Sequence, residues 1–186
     1  MYHCTWFFSF DNRKSCTPPV LEGKEEILAL LTINTVPDPI LRTKCQEVEK
    51  VDQSIRDLVR DMLDTVDDPG RAGLSANQVG VLLRIFSYNV GGKVGYIINP
   101  HITYRSGQQD GEEGCLSLPG LWFSLQRSNF ARAVGMDLDG RKVVVEGKGL
   151  MGRMIQHECD HLDGLLFTDR LEGREKARAQ AAIRNI

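Results

Sequence analysis

The stretch Gln156-His157-Glu158-Cys159-Asp160-His161-Leu162-Asp163-Gly164 constrains this chain more than any other. His157 and His161 are four residues apart, so on a helix their Cβ atoms lie about 5–6 Å apart on one face. Both imidazoles can then reach one metal ion. Glu158 follows His157 by about a third of a turn, which puts a carboxylate beside the ion without making it a ligand. This is the H-E-x-x-H logic of metal-dependent hydrolases.

Periodicity supports the helix. From Gly149 onward, Leu150, Met154, His157 and His161 recur at i, i+4, i+7 and i+11, one narrow face. Met151, Ile155, Glu158, Cys159 and Leu162 fill the adjoining side, and Gly152, Arg153, Gln156, Asp160 and Asp163 take the remainder. More than half the circumference is apolar, and Gly164 supplies a left-handed stop. Two histidines and a glutamate on the buried side need a compensating partner, which favours a metal over two incidental helix histidines. Cys159 points away from the histidines and reads as core, whereas Asp160 supports a ligand from behind or is merely polar surface.

A catalytic centre of this kind takes three protein ligands and keeps a position for water. Where one protease class carries its third histidine, this chain has Phe167, and Glu172 and Glu175 fall in a charged, alanine-rich segment. The third ligand therefore lies upstream. Cys115, inside the extended, glycine- and proline-bounded segment Gly111–Gly120, is one candidate, and His101 is a fallback. An isolated cysteine is usually a small buried hydrophobe, so spacing alone leaves the choice open.

The 186 residues make one domain of ordinary size, with the 41% hydrophobic and 26% charged content of a soluble globular protein. A net charge of −2 gives no basic field, so DNA is not expected as a partner. No apolar run approaches the ~20 residues of a membrane helix. Cys4, Cys16, Cys45, Cys115 and Cys159 are odd in number and scattered, which suits a reducing compartment. Residues 1–23 read as an N-terminal extension broken at Thr17-Pro18-Pro19, ahead of a catalytic domain over 24–186.

Val36-Pro37-Asp38-Pro39 reads as a turn, and Asp52 to Asp67 as an amphipathic helix capped by Asp52 or Ser54 and ended by Asp68-Pro69-Gly70. Val81 to Val90 and Lys93 to Ile98 pair across Gly91-Gly92, and Asn99-Pro100 closes that hairpin before His101 to Tyr104 extends again. Phe130 to Leu138 and Arg141 to Glu146 form a second hairpin over Asp139-Gly140, and Asp169 to Ile183 a final helix. The expectation is an α+β domain, with antiparallel or mixed β-sheets packed around the central His157 helix and a C-terminal helix.

Three segments in order, Gly73-Leu74-Ser75-Ala76-Asn77-Gln78, Glu113-Gly114-Cys115-Leu116-Ser117 and Gln156-His157-Glu158-Cys159-Asp160-His161, resemble the signature motifs of peptide deformylases. Pro37-Asp38-Pro39-x-Leu41-Arg42 and the Met62 helix match the family's N-terminal part, and the resemblance runs from about Ile27 to Leu171. Arg71 and Ser75 depart from it, standing where the family usually has glycine and alanine.

The resemblance implies removal of the formyl group from the N-terminal formylmethionine of newly made polypeptides, in the bacterial cytoplasm. It implies one divalent ion on Cys115, His157 and His161, ferrous iron in the cell, with zinc, nickel or cobalt able to occupy the purified protein. Metal-bound hydroxide would attack the formyl carbon with Glu158 as general base and acid, and the Gln78 amide and Leu116 N–H would hold the developing oxyanion. Gly73, Leu74, Gly111, Leu150 and Met154 are the substrate-binding candidates, with plain core packing the alternative for Leu150 especially. Glu113 and Arg127 match positions that pair and steady the cysteine loop. Arg170, Arg174 and Arg178, at i, i+4 and i+8, either form a basic stripe against ribosomal RNA or a solvated face paired with Asp169, Glu172 and Glu175. The rival readings are a zinc metallopeptidase, which lacks its downstream ligand, and a non-catalytic metal-binding or ribosome-associated module.

Overall fold

The structure, a computed structural model, describes residues 30–184; the extension expected over residues 1–23 lies outside the described residues. Seven strands and three α-helices follow in order: α1 (Gln53–Val66), β1 (Gly73–Ser75), β2 (Ile85–Val90), β3 (Lys93–Ser106), β4 (Glu112–Cys115), β5 (Leu118–Ser124), β6 (Phe130–Met136), β7 (Lys142–Lys148), α2 (Leu150–Leu162) and α3 (Gly173–Ile183). Five strands make an antiparallel sheet in the order β1-β2-β3-β6-β7, while β4 and β5 pair separately. This is the expected α+β class.

Strand alternation explains how one sheet carries two helices. Neighbouring residues on a strand face opposite sides. Ile85 and Ile98 pack with Val59, Met62 and Val66 of α1, whereas their neighbours Phe86 and Ile97 pack with Met154, Ile155 and Leu162 of α2. The Asp52 carboxylate accepts from the Ile55 N–H at 3.2 Å and starts α1. A third cluster, Leu41, Leu118, Phe123, Leu166, Phe167 and Ala179, joins the β4–β5 hairpin to the C-terminal segment.

Several boundaries differ from the expectation. β2 begins at Ile85 and not Val81, because Leu83 makes an isolated parallel bridge to Gln46 instead. β3 runs straight through Asn99-Pro100 to Ser106. The interruption is absorbed as a register shift, with Asn99 at φ 51° and its side chain bonding the Val48 N–H and C=O at 2.8 and 3.0 Å. The pairing of β4 with β5 had no strong alternating pattern behind it.

The final helix starts at Gly173, not Asp169. Phe167–Arg170 is a separate 3-10 turn in which the Asp169 carboxylate accepts from the Leu166 N–H at 2.8 Å and pairs with Arg42. Arg170 thus leaves the expected stripe and binds Asp160, while Arg178 pairs with Glu175. Arg170 therefore does not share one continuous helix with Arg174 and Arg178. Among the described residues no helix is long and apolar enough to cross a membrane.

Candidate metal centre

α2 is buried on every side from Gly152 to Leu162, because the sheet covers one flank and the β4–β5 hairpin the other. Its histidines meet Cys115 at the end of β4: one ligand atom from each of Cys115, His157 and His161 lies within 4.8 Å of the others. Cys115 Sγ is 3.1 Å from His161 Nε2. Burial alone would push the Cys115 thiol up, but the His161 and His157 rings outweigh it and hold the thiol well below its ordinary range. His101, the fallback ligand, is exposed and 3.2 Å from Glu47.

The ligands are oriented from behind. His157 Nδ1 lies 2.7 Å from Glu113 Oε1, and since a carboxylate only accepts, Nδ1 carries the proton and Nε2 is left to ligate. Asn77 Nδ2 donates to the His161 carbonyl at 2.7 Å, tying α2 to the turn after β1. Gln78 Oε1 accepts from the Ser75 N–H and hydroxyl, both at 2.9 Å, which aims its Nε2 at Ser117 Oγ (3.2 Å) and Cys115 Sγ (3.6 Å).

Glu113 is the hub of the surrounding charges. It accepts from Arg127 Nη2 at 2.7 Å and Nε at 3.1 Å, and from Arg153 Nη1 at 2.7 Å. Burial opposes its charge, but His157 and Arg127 outweigh burial and hold the carboxyl well below its usual range. Arg127 also donates to Asp160 at 2.6 Å, and Arg170 closes on Asp160 at 2.8 Å. The Glu113–Arg127 pairing is therefore one part of a larger network. Asp160 is buried within it and is not polar surface.

Glu158 behaves differently. Its carboxylate lies against Gly73, where an added Cβ would collide with Oε1, so a larger residue there would displace Glu158. Oε2 is buried without a hydrogen-bond partner, and burial pushes the carboxyl pKa up. His161 Nδ1 is likewise buried and unpartnered. One thiolate, two imidazoles and an uncommitted carboxylate oxygen fit a divalent ion with a reactant beside it.

A cavity of about 450 Å³ opens over this centre, lined by Gly73, Gln78, Leu116, Leu150, Met154 and Glu158 among others. Leu150 sits at the rim, 55% exposed. Leu74 does not line the cavity: as the alternate residue of β1 it is fully buried in the α1-side core. Gly111 is also absent from the lining, and a Cβ there would meet Arg153 Nη2 at 3.5 Å. Arg71 lines the mouth but is tied back to the end of α1, donating to the Thr65 carbonyl at 2.7 Å and pairing with Asp68 at 2.7 Å.

Arg153 and Trp122 escaped the sequence reading. Arg153 stands four residues before His157, a spacing that signals a shared face. Trp122 is 59% exposed and its ring covers Gly114, in a hairpin that the sequence left undivided.

Known proteins share both sequence and fold. The family model for polypeptide deformylase matches residues 30–177. A peptide deformylase of Acidothermus cellulolyticus is 45% identical over 157 residues, covering 84% of this chain and 87% of its own. The crystal structure of a peptide deformylase from Legionella pneumophila superposes with a TM-score of 0.77 at 34% identity, covering 84% of this chain and 95% of that one. The Ehrlichia chaffeensis peptide deformylase in complex with actinonin gives a TM-score of 0.78 at 38% identity, over 84% of this chain and 95% of that chain. With its motifs on the metal-ligand side of one cavity and its fold shared along most of its length, the chain belongs to the polypeptide deformylase family.

Proposed function

We propose that the enzyme hydrolyses the formyl amide at the N-terminal formylmethionine of newly made polypeptides, with Glu158 as its proton carrier. The observation that carries this reading is the convergence of Cys115, His157 and His161 beside a buried carboxylate oxygen with nothing bonded to it. A divalent ion on those three residues supplies Lewis acidity, lowering the pKa of water towards roughly 7 and polarising a carbonyl. We take ferrous iron as the ion in the cell; the same donors accept zinc, nickel or cobalt.

Glu158 takes a proton from the attacking water and hands it to the departing amine as the C–N bond breaks, leaving formate and a free N-terminus. Its raised pKa suits both halves of that task. Ser75 occupies the Gln78 oxygen, so Gln78 reaches the centre through Nε2, and the N–H it points at Cys115 Sγ across 3.6 Å is the one free to turn to a substrate. Together with the Leu116 N–H it faces the formyl oxygen, where one such donor is worth ~10²–10³ in turnover.

The peptide has a natural place. Among the described residues β1 ends the five-stranded sheet and β4 pairs only with β5, so each has an unpaired edge, and Gly73 and Gly114 bring both to the cavity. An extended peptide adds between them as a strand. Leu150 and Met154 then flank the methionine side chain, whereas Leu74 and Gly111, outside the lining, take no part in that pocket. This reading places the enzyme in the bacterial cytoplasm.

Incubation with formyl-Met-Ala-Ser and with Met-Ala-Ser tests the reading. Formate and free amine in equal amounts from the formylated peptide alone are expected. Cleavage of a peptide bond, or no formate at all, would sink it.

A further inference from the structure

A second cavity, of about 380 Å³, adjoins the network behind the metal ligands and includes Arg105, Gln108, Arg127, Ser128, Asp160 and Arg170 in its lining. Its charge is unbalanced. Arg127 and Arg170 line the cavity against one carboxylate, Asp160, and the other partner of Arg127, Glu113, lies outside it and is shared with Arg153. Arg105 adds a further positive charge and has no carboxylate within 4.0 Å among the described residues. The other acids nearby are committed elsewhere: Asp169 pairs with Arg42, and exposed Asp110 holds the Gln126 amide.

Donors exceed acceptors as well. Asp160 is shared between two arginines, with Oδ1 taken by Arg170 and Oδ2 by Arg127 and Arg170. Among the described residues the Gln108 amide and the Ser128 hydroxyl make no hydrogen bond, and the Arg170 side chain is 49% exposed with donors to spare. Guanidinium forks beside a free amide and a hydroxyl match an ion that offers several acceptor oxygens in a compact tetrahedron.

We propose that this cavity binds a small phosphate-class oxyanion, free or as a phosphate ester, held chiefly by Arg105 and Arg170 with Gln108 and Ser128 as further donors. Such an anion offsets the excess positive charge and takes the place of solvent on the exposed Arg105 and Gln108 donors. It leaves Asp160 to Arg127, and so keeps the link through Glu113 to His157 intact.

Calorimetric titration of the metal-loaded full chain with inorganic phosphate, at ionic strength fixed by sodium chloride, tests this. A saturable single site is expected, weakened ~tenfold or more by Arg105→Met and partly restored by Arg105→Lys, as loss of a charged hydrogen bond implies. Arg105 is exposed, so the variant keeps its fold and its formate release, and Gln108→Leu gives a second, smaller weakening. No saturable heat, or the same affinity in Arg105→Met, would overturn the proposal, the latter because phosphate would then sit elsewhere, including on the metal. A short RNA oligonucleotide separates the sources: if it displaces phosphate from the site, phosphodiesters bind there; if it does not, the site takes free phosphate or monoesters.

Discussion

Helices α1 and α2 lie on opposite faces of the same sheet and are nearly equal in length, 14 and 13 residues. α1 is divided along its length, with Ile55, Val59, Met62 and Val66 inward and Asp57, Arg60 and Asp61 paired in solvent. α2 has no solvent face between Gly152 and Leu162, yet six of those eleven residues are charged, amide or imidazole side chains. Burying such groups costs several kcal/mol each unless partners are supplied. The difference shows where stability ends and chemistry begins: α1 holds the sheet, and α2 is held by its neighbours so that three candidate ligands and one free carboxylate oxygen meet.

The largest expected contrast lies between two cysteines buried in the core, Cys45 and Cys159, and Cys115 at the candidate metal centre. Burial pushes the α2 thiol Cys159 up to about 12, and Cys45 up to about 11, whereas Cys115 is held far below. At pH 8 Cys159 is then a thiolate in about one molecule in 10⁴ and Cys45 in about one in 10³. Brief iodoacetamide treatment of the chelator-stripped chain should therefore modify Cys115 and spare Cys45 and Cys159 until the chain is unfolded, as peptide mass mapping would reveal. Early modification of Cys159 would break the contrast.

A smaller effect comes from the groups that hold α2. Glu113→Gln removes the charge shared by His157, Arg127 and Arg153, and should cut metal affinity or kcat/KM ~10–100-fold. Metal titration and formate release both read it, and an unchanged variant would mean that His157 needs no orienting partner. In α1 the failure is of another kind. Met62→Ala, at a fully buried position, should cost about 2–5 kcal/mol of stability, visible in urea unfolding, with kcat per folded molecule unchanged. Arg60→Ala, on the solvated face, should leave the melting temperature where it was.

Much of this was legible in the sequence because it is periodic or spaced. The α1 stripe, the Gly91-Gly92 turn (φ 59° and 77°) and the His157–His161 spacing carry local signals. What was not legible depends on distant neighbours. Asn99-Pro100 reads as a stop, and only the Val48 backbone, 51 residues away, satisfies Asn99 well enough for β3 to continue. Arg170 reads as part of a helical stripe, but Asp160 and the Asp169 cap draw it out of register. Arg153 and Asp160 looked like a polar outer face because a single helix cannot announce that a hairpin covers it. The cysteine ligand came from family resemblance and not from spacing, since nothing local distinguishes Cys115 from a buried hydrophobe.

The central claim is tested most directly by Glu158→Ala, prepared anaerobically beside the parent chain, with metal content and formate release from formyl-Met-Ala-Ser measured on the same samples. Both proteins should hold about one ion per chain, and the variant should lose ~10²–10⁴ or more of turnover. A variant that keeps its ion and still releases formate at the parent rate would contradict the role of the buried carboxylate, and with it the account of why α2 is built as it is.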